Sequence, residues 1–233
     1  MTEAAIDKVG LSIVIPVLNE SGVIEAALYH LQRLREQGCE LIVVDGGSAD
    51  NTVALAQPLA DRVVVSTKGR ALQMNAGADH AAGQWLLFLH VDTYMPEGLA
   101  GFLHALQNLD LDWGFFPLRL SGGHFLFRLI ERAINIRSRL TSVATGDQCL
   151  FIRRSTFNAS GQFPAIPLME DVALSKSLRK QSRPFIGPVP VVTSSRRWEK
   201  KGIVKTVLLM WMLRLQFFLG VSPQRLFKRY YNH

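Results

Sequence analysis

The sequence predicts an α/β fold, with a mostly parallel central sheet flanked by helices and a helical C-terminal extension. Two observations predict it. Four short apolar runs rich in β-branched residues recur in the first half, at 11–15, 41–44, 62–66 and 85–91. Helix-compatible segments follow them, at 20–37, 51–60, 70–82 and 96–108, and strands alternating with helices form parallel sheets covered on both faces. Pro16 and Asn19 end the first strand, and the second runs directly into Asp45-Gly46-Gly47-Ser48, a turn ahead of a helix start. In open α/β sheets ligands gather beyond the C-terminal strand ends, which sets Asn19, Glu20, Asp45 and Asp92 on one rim.

After residue 112 the alternation loosens, and the spacing predicts strands over 148–153 and 185–192 and a helix over 170–179. Leu126, Leu129, Ile130, Ala133 and Leu140 recur at helical spacing, with Arg128, Arg132 and Arg139 on other faces. That pattern describes a basic amphipathic helix, either packed on the core or lying on a membrane surface. Segment 203–219 is more apolar, yet Lys205, Arg214 and Gln216 interrupt it, and its clean run, 206–213, is far short of the roughly 18 residues of a spanning helix. Arg214 falls opposite Lys205, so this helix is apolar nearly all round, as suits a buried or partly membrane-embedded element. The tail RLFKRYY mixes cations with aromatics, which adds an expectation of peripheral membrane contact.

The chain has 233 residues, 48% of them apolar, enough to bury a full core in one α/β domain. Its net charge of +7 conceals an asymmetry: residues 1–116 carry a net −8 and residues 117–233 a net +15. The basic half would attract nucleotide phosphates, acidic lipid headgroups or nucleic acid. Cys39 and Cys149 are the only cysteines and lack C-x-x-C spacing, so they read as buried thiols, with no disulfide framework or thiolate metal site. The opening MTEAAIDKVG has no basic stretch and apolar run of a secretory signal, so the expected location is cytoplasmic, with the inner membrane face as a contact surface.

The residues with chemical content come in order: Pro16-Val17-Leu18-Asn19-Glu20, Asp45-Gly46-Gly47-Ser48-Ala49-Asp50-Asn51-Thr52, Lys68-Gly69-Arg70, His90-Val91-Asp92, Gly146-Asp147-Gln148, Met169-Glu170-Asp171 and Arg197-Trp198. Taken together over about residues 11–200, they resemble the family-2 glycosyltransferases with a GT-A fold. The resemblance implies a nucleotide-sugar-dependent, inverting enzyme of one domain. Within 1–233, residues 11–116 would bind the nucleotide sugar, 117–200 the acceptor, and 201–233 would form the helical C-terminal segment.

By that resemblance Pro16, Asn19, Glu20, Asp45 and Asp50 surround the nucleoside, since carboxylates at strand ends accept from base and ribose donors. Asp50, Asn51 and Thr52 equally read as a helix start satisfying orphan N–H groups. Lys68 and Arg70 follow the third strand, where they would approach base or phosphate or remain solvated loop charges. Asp92 matches the second acidic residue of the family's paired site and would help hold Mg²⁺ or Mn²⁺ against the diphosphate. His90 replaces the first, as a nucleotide contact, a metal ligand or a plain strand-end residue.

The resemblance assigns the general base to Asp171, although Glu170-Asp171 also suits a helix N-terminus. Gly146, Asp147 and Gln148 would border acceptor or donor sugar. Arg197-Trp198 resembles the end of a Gln-x-x-Arg-Trp element, but Ser194 stands at its first position, which speaks against a polysaccharide synthase. Arg197 would grip phosphate and Trp198 stack on a sugar, or they form an ordinary cation beside a buried indole. The implied partners are a nucleotide-sugar donor, a UDP-sugar favoured, and an acceptor that the sequence does not name. A nucleotidyltransferase fits less well, because the first strand lacks a glycine-rich phosphate loop. A basic module for membrane or nucleic acid leaves Asp45, Asp92 and Asp171 without a role, and no nucleic acid is expected.

Overall fold

The computed structural model describes residues 10–96, 101, 102, 106 and 110–231, so the helix expected over 96–108 lies largely outside the described residues. In chain order the first half contains β1 (Leu11–Val17), α1 (Ile24–Glu36), β2 (Glu40–Asp45), α2 (Thr52–Ala56), β3 (Arg62–Val65), α3 (Arg70–His80), β4 (Trp85–Phe88) and β5 (Thr93–Tyr94). The second half contains β6 (Trp113–Phe115), β7 (Leu118–Leu120), α4 (Phe125–Thr141), β8 (Phe151–Arg153), α5 (Arg154–Ala159), α6 (Glu170–Leu178), β9 (Phe185–Ile186), β10 (Val191–Thr193), α7 (Arg196–Lys201), α8 (Ile203–Phe218) and α9 (Pro223–Tyr231).

The main sheet has the order β3-β2-β1-β4-β8-β6-β9, with β3, β2, β1 and β4 parallel and β8 antiparallel to both of its neighbours. Alternation along β1 explains why both faces need covering. Ile13, Ile15 and Val17 join one core with Ile24, Leu28 and Leu31 of α1, while Val14 joins another with Ala71, Met74 and Ala78 of α3. Strands buried on both faces read as continuous apolar runs, which is why these four are visible in the sequence. Cys39 and Cys149 are buried free thiols, and burial pushes Cys39 up to about 11.

Three expectations need correction. Residues 146–148 form a 3₁₀ turn, and Cys149 then takes φ 47°, so the strand expected over 148–153 begins only at Phe151. The strand expected over 185–192 is two strands in two sheets: β9 extends the main sheet, while β10 lies between β5 and β7 in a second one. Gly187, Pro188 and Pro190 separate them, and proline offers no N–H to a ladder.

The third correction concerns α4, which packs on the core through Phe127, Ile130 and Ile134 with Arg132 and Arg139 exposed, but leaves Leu129, Ala133 and Leu140 of the expected apolar stripe exposed while Glu131 and Ser138 are buried. The reason is that α4 covers the edge of β7. Glu131 accepts from the Leu120 N–H at 2.6 Å, and Asn135 pairs with both the N–H and the carbonyl of Leu118 at 2.8 and 2.9 Å. A helix that satisfies a strand edge carries some polar groups inward, beside the apolar residues that face the core.

Helix α3 rests on β1 and β2 through Gly77. A Cβ there would lie 2.3 Å from Val14 Cγ1 and 2.9 Å from Val44 Cγ2. Gly77→Ala is therefore expected to cost about 1–3 kcal/mol through overpacking, read as a lower urea midpoint at unchanged slope.

Candidate active site

The ends of β1 and β2 leave the sheet side by side, Val17 in register with Asp45. The turns that follow are tied to each other. Ser48 Oγ accepts from the Asn19 N–H at 2.8 Å, Asn19 Oδ1 accepts from the Ala49 N–H at 2.8 Å, and Thr52 Oγ1 accepts from the Glu20 N–H at 2.8 Å. Asn19 adopts φ 54°, a left-handed conformation that asparagine tolerates better than most residues. Asp45 is buried, and its carboxylate accepts from the N–H groups of Gly47 and Ser48, each at 2.9 Å, and from the Ser48 hydroxyl.

Asp50 accepts from the Thr52 N–H at 3.0 Å, the Thr52 hydroxyl and the Ser21 N–H at 3.1 Å. These bonds, that from the Thr52 hydroxyl foremost, hold its carboxyl well below the usual carboxylate range. Asp50 thus organises the start of α2. Glu20 is shifted the other way, raised by burial and then by Asp92, with Arg196 opposing.

The second cluster forms where β4 ends. His90 Nδ1 lies 3.5 Å from Asp147 Oδ1, and its Nε2 is buried with no hydrogen-bond partner among the described residues. Gly146 packs directly against that ring: a Cβ there would lie 2.6 Å from Nε2. The Gly146 N–H donates to Asp171 Oδ2 at 2.6 Å, and the Val172 N–H to Asp171 Oδ1 at 2.6 Å. Both oxygens of Asp171 are therefore oriented by main-chain donors, which fix the rotamer and leave a further lone pair on each.

Asp171 lines a cavity of about 80 Å³ together with Arg70, Asp147, Glu170, Met210, Leu213, Arg214 and Tyr230. Arg70 Nη1 stands 3.6 Å from Glu170 Oε1. Glu170 is buried, and burial, then the neighbouring Asp171, push its pKa up while Arg70 opposes the shift. Burial also disfavours the charge on Arg214, against Asp171 and Asp147 which favour it; Arg137 is shifted in the same direction by burial and then by Arg214.

Of the residues singled out in the sequence, Asn19, Glu20, Asp45 and Asp50 meet at the first two turns, and Arg70, Asp147, Glu170 and Asp171 meet at the cavity, with His90 beside them. Pro16 is the penultimate residue of β1, and Lys68 is exposed on the loop before α3. Asp92 follows β4, and its carbonyl accepts from the Ser194 N–H at 3.0 Å. Gln148 is fully buried, its Oε1 accepting from the Ser138 hydroxyl at 2.8 Å and its Nε2 donating to the Phe116 carbonyl at 3.3 Å, so its side chain secures the turn. Trp198 packs against the core, and the Arg197 guanidinium stacks 3.8 Å from the centre of the Tyr230 ring.

The sequence reading missed Gln73, Arg137, Arg214 and Tyr230 as site residues. Gln73 is buried and donates to the carbonyls of Val17 and Val44, at 2.7 and 2.9 Å, bridging the ends of β1 and β2. Its isolated amide on a helix carries no signal of that distant role. Arg214 did carry one, as a cation in the middle of a mostly apolar helix.

Because the folded-state pKa of Glu170 is raised, the fold holds that proton more tightly than the unfolded chain does. Stability is therefore lost as pH rises from the ordinary carboxylate range to the raised value. Glu170→Gln is expected to remove that part of the loss and to raise the thermal midpoint at pH 7, measured as melting temperature against pH for both proteins.

Comparisons with known proteins agree with this architecture. Residues 12–156 match the family Glycosyl transferase family 2. A PGL/p-HBAD biosynthesis glycosyltransferase of Mycobacterium bovis (strain BCG / Pasteur 1173P2) is 33% identical over 169 residues, covering 65% of this chain and 62% of the relative. The chain thus spans about three fifths of that relative's length. An uncharacterized glycosyltransferase of Haemophilus influenzae is 31% identical over 115 residues, 47% of this chain and 39% of the relative.

Among solved structures, the mannosyltransferase PcManGT from Pyrobaculum calidifontis, in complex with GDP-Man and Mn²⁺, superposes with TM-score 0.61 at 21% identity, covering 79% of this chain and 56% of that one. Glucosyl-3-phosphoglycerate synthase from Mycobacterium tuberculosis, in complex with Mn²⁺, UDP and glucosyl-3-phosphoglycerate, gives 0.59 at 19% identity, covering 92% and 85%. At such identities the likeness concerns the fold, which is of the GT-A type. With well over half its length matched by the family, in the segment that forms the parallel strands and the first two turns, the chain belongs to glycosyl transferase family 2.

Proposed function

We propose that this protein transfers a sugar from a nucleoside-diphosphate sugar, a UDP-sugar in the first instance, to an acceptor hydroxyl with inversion at the anomeric carbon. The observation that carries the reading is Asp171: a carboxylate lining a cavity, with each oxygen held by a main-chain N–H. A base fixed in this way is poised to take a proton without reorganising first. The acceptor oxygen attacks the anomeric carbon, the bond from that carbon to the diphosphate oxygen breaks, and the acceptor proton passes to Asp171.

The donor would sit across the ends of β1 and β2, where the turns at Asn19 and Asp45 and the carboxylates of Glu20 and Asp50 offer acceptors for base and ribose. Arg70 is 40% exposed beside the cavity and is placed to meet phosphate. Among the described residues no group of three or more His, Cys, Asp or Glu surrounds a common point. Asp92 would hold a hard divalent cation through its carboxylate oxygens. When bound, Mn²⁺ or Mg²⁺ would supply Lewis-acid compensation for the charge on the departing diphosphate. The related proteins whose solved complexes contain Mn²⁺ with GDP-Man or UDP support this reading.

Calorimetry with a panel of nucleoside diphosphates is expected to find one that binds only with Mn²⁺ or Mg²⁺, and Asp92→Ala should abolish that metal-dependent binding. Failure of every nucleotide with either metal would overturn the reading. Asp171→Asn should keep nucleotide binding while lowering kcat by about 10²–10⁴-fold, the usual contribution of a general base. A variant with undiminished turnover would remove Asp171 from this role.

A further inference from the structure

Helix α8 has two faces with different fates. Its inner face, with Thr206 and Leu213 buried, packs on the protein, and Met210, Leu213 and Arg214 form part of the wall of the Asp171 cavity. Its outer face carries Val204, Leu208, Trp211, Leu215 and Phe218, spaced by four, three, four and three residues and therefore aligned on one side. Each of these five is between 59% and 75% exposed, and Leu219 continues the row at 70%. Large apolar side chains in an uninterrupted exposed row mark an interaction surface.

Charge selects the partner. Lys200, Lys201 and Lys205 are exposed at the N-terminal end of the row, and Arg225, Lys228 and Arg229 are exposed on α9, which packs against α8. No carboxylate lies in α8 or α9, and the half of the chain that contains them has a net charge of +15. A second copy apposed across α8 would bring like charges together, whereas an anionic bilayer offers hydrocarbon to the row and phosphate to the cations. No helix of the described residues is long and apolar enough to cross a membrane, so the helix would lie in the plane of the interface.

We infer that the outer face of α8 is a docking surface for an anionic lipid bilayer, entered by Trp211 and its neighbours and flanked by phosphate-binding lysines. Because the opposite side of the same helix lines the cavity, docking sets Asp171 about one helix diameter, roughly 10 Å, from the headgroups. An acceptor carried by the membrane then reaches the cavity without leaving the interface. The acceptor consequence rests on the transferase reading; the docking itself does not.

The test is co-sedimentation with phosphatidylcholine vesicles made with and without phosphatidylglycerol, with Trp emission recorded in parallel. The intact chain is expected to bind the anionic vesicles, with a blue shift that Trp211→Phe removes while binding remains. Leu208→Ser, Trp211→Ser, Leu215→Ser and Phe218→Ser together should lower the partition coefficient at least tenfold, given the apolar area withdrawn, with unchanged far-UV circular dichroism. Lys200→Gln, Lys201→Gln and Lys205→Gln together should weaken the preference for phosphatidylglycerol, and this set tests the charge argument without touching the apolar row. The inference is overturned if the intact chain binds neither vesicle, or if light scattering finds a dimer that the serine replacements dissociate. Vesicle binding with failed nucleotide binding would sink the transferase reading and leave the docking standing.

Discussion

The hydrogen bond from the Gly146 N–H to Asp171, at 2.6 Å, joins the parts of the molecule on which the rest of the site depends. Gly146 opens a 3₁₀ turn between α4 and β8, and Asp171 sits in the first turn of α6. His90, just beyond β4, fills the space where any side chain at position 146 would stand. Residues 90, 146 and 171 thus form one contact through three elements that are remote in sequence. Glycine is required there by the approach of an imidazole ring, with no demand from backbone conformation.

Around that contact the charges are balanced rather than minimised. Arg70, Arg137 and Arg214 come from three different helices and interact with a set of acids, Asp147, Glu170 and Asp171. Burial disfavours the charged form of Glu170, Arg137 and Arg214, and each is kept company by groups of opposite sign. Partly buried charges of both signs around a cavity constitute a preorganised polar medium. Against this background the net charge of the basic half divides in two. Some of its cations face the acids of the cavity, and others, such as Lys200, Lys201 and Arg229, face outward.

The helices of the second half illustrate how tertiary context reverses a local pattern. In α4 part of the stripe that looks like core, Leu129, Ala133 and Leu140, is outside, because Arg128, Glu131, Asn135 and Ser138 have partners inside. In α8 the apolar composition all round does not signal complete burial, since only Thr206 and Leu213 are buried along its length. Hydrophobicity reports what a side chain would favour; it does not report which neighbours the fold supplies.

By itself the sequence determined the parallel strands β1 to β4 and the helices between them, because elements buried on both faces write their burial into unbroken apolar runs. It also determined which carboxylates stand at strand ends and helix starts, since Asp45, Asp50 and Asp171 occupy positions where local backbone geometry demands an acceptor. Only the tertiary structure decided that Gln73 bridges two strand ends, that Gln148 turns inward, that residues 185–193 divide between two sheets, and that Arg214 and Tyr230 close the cavity. Each of these depends on partners 10 to more than 50 residues away. No periodicity or local propensity encodes a pairing at that distance, and it is settled only when the layers pack.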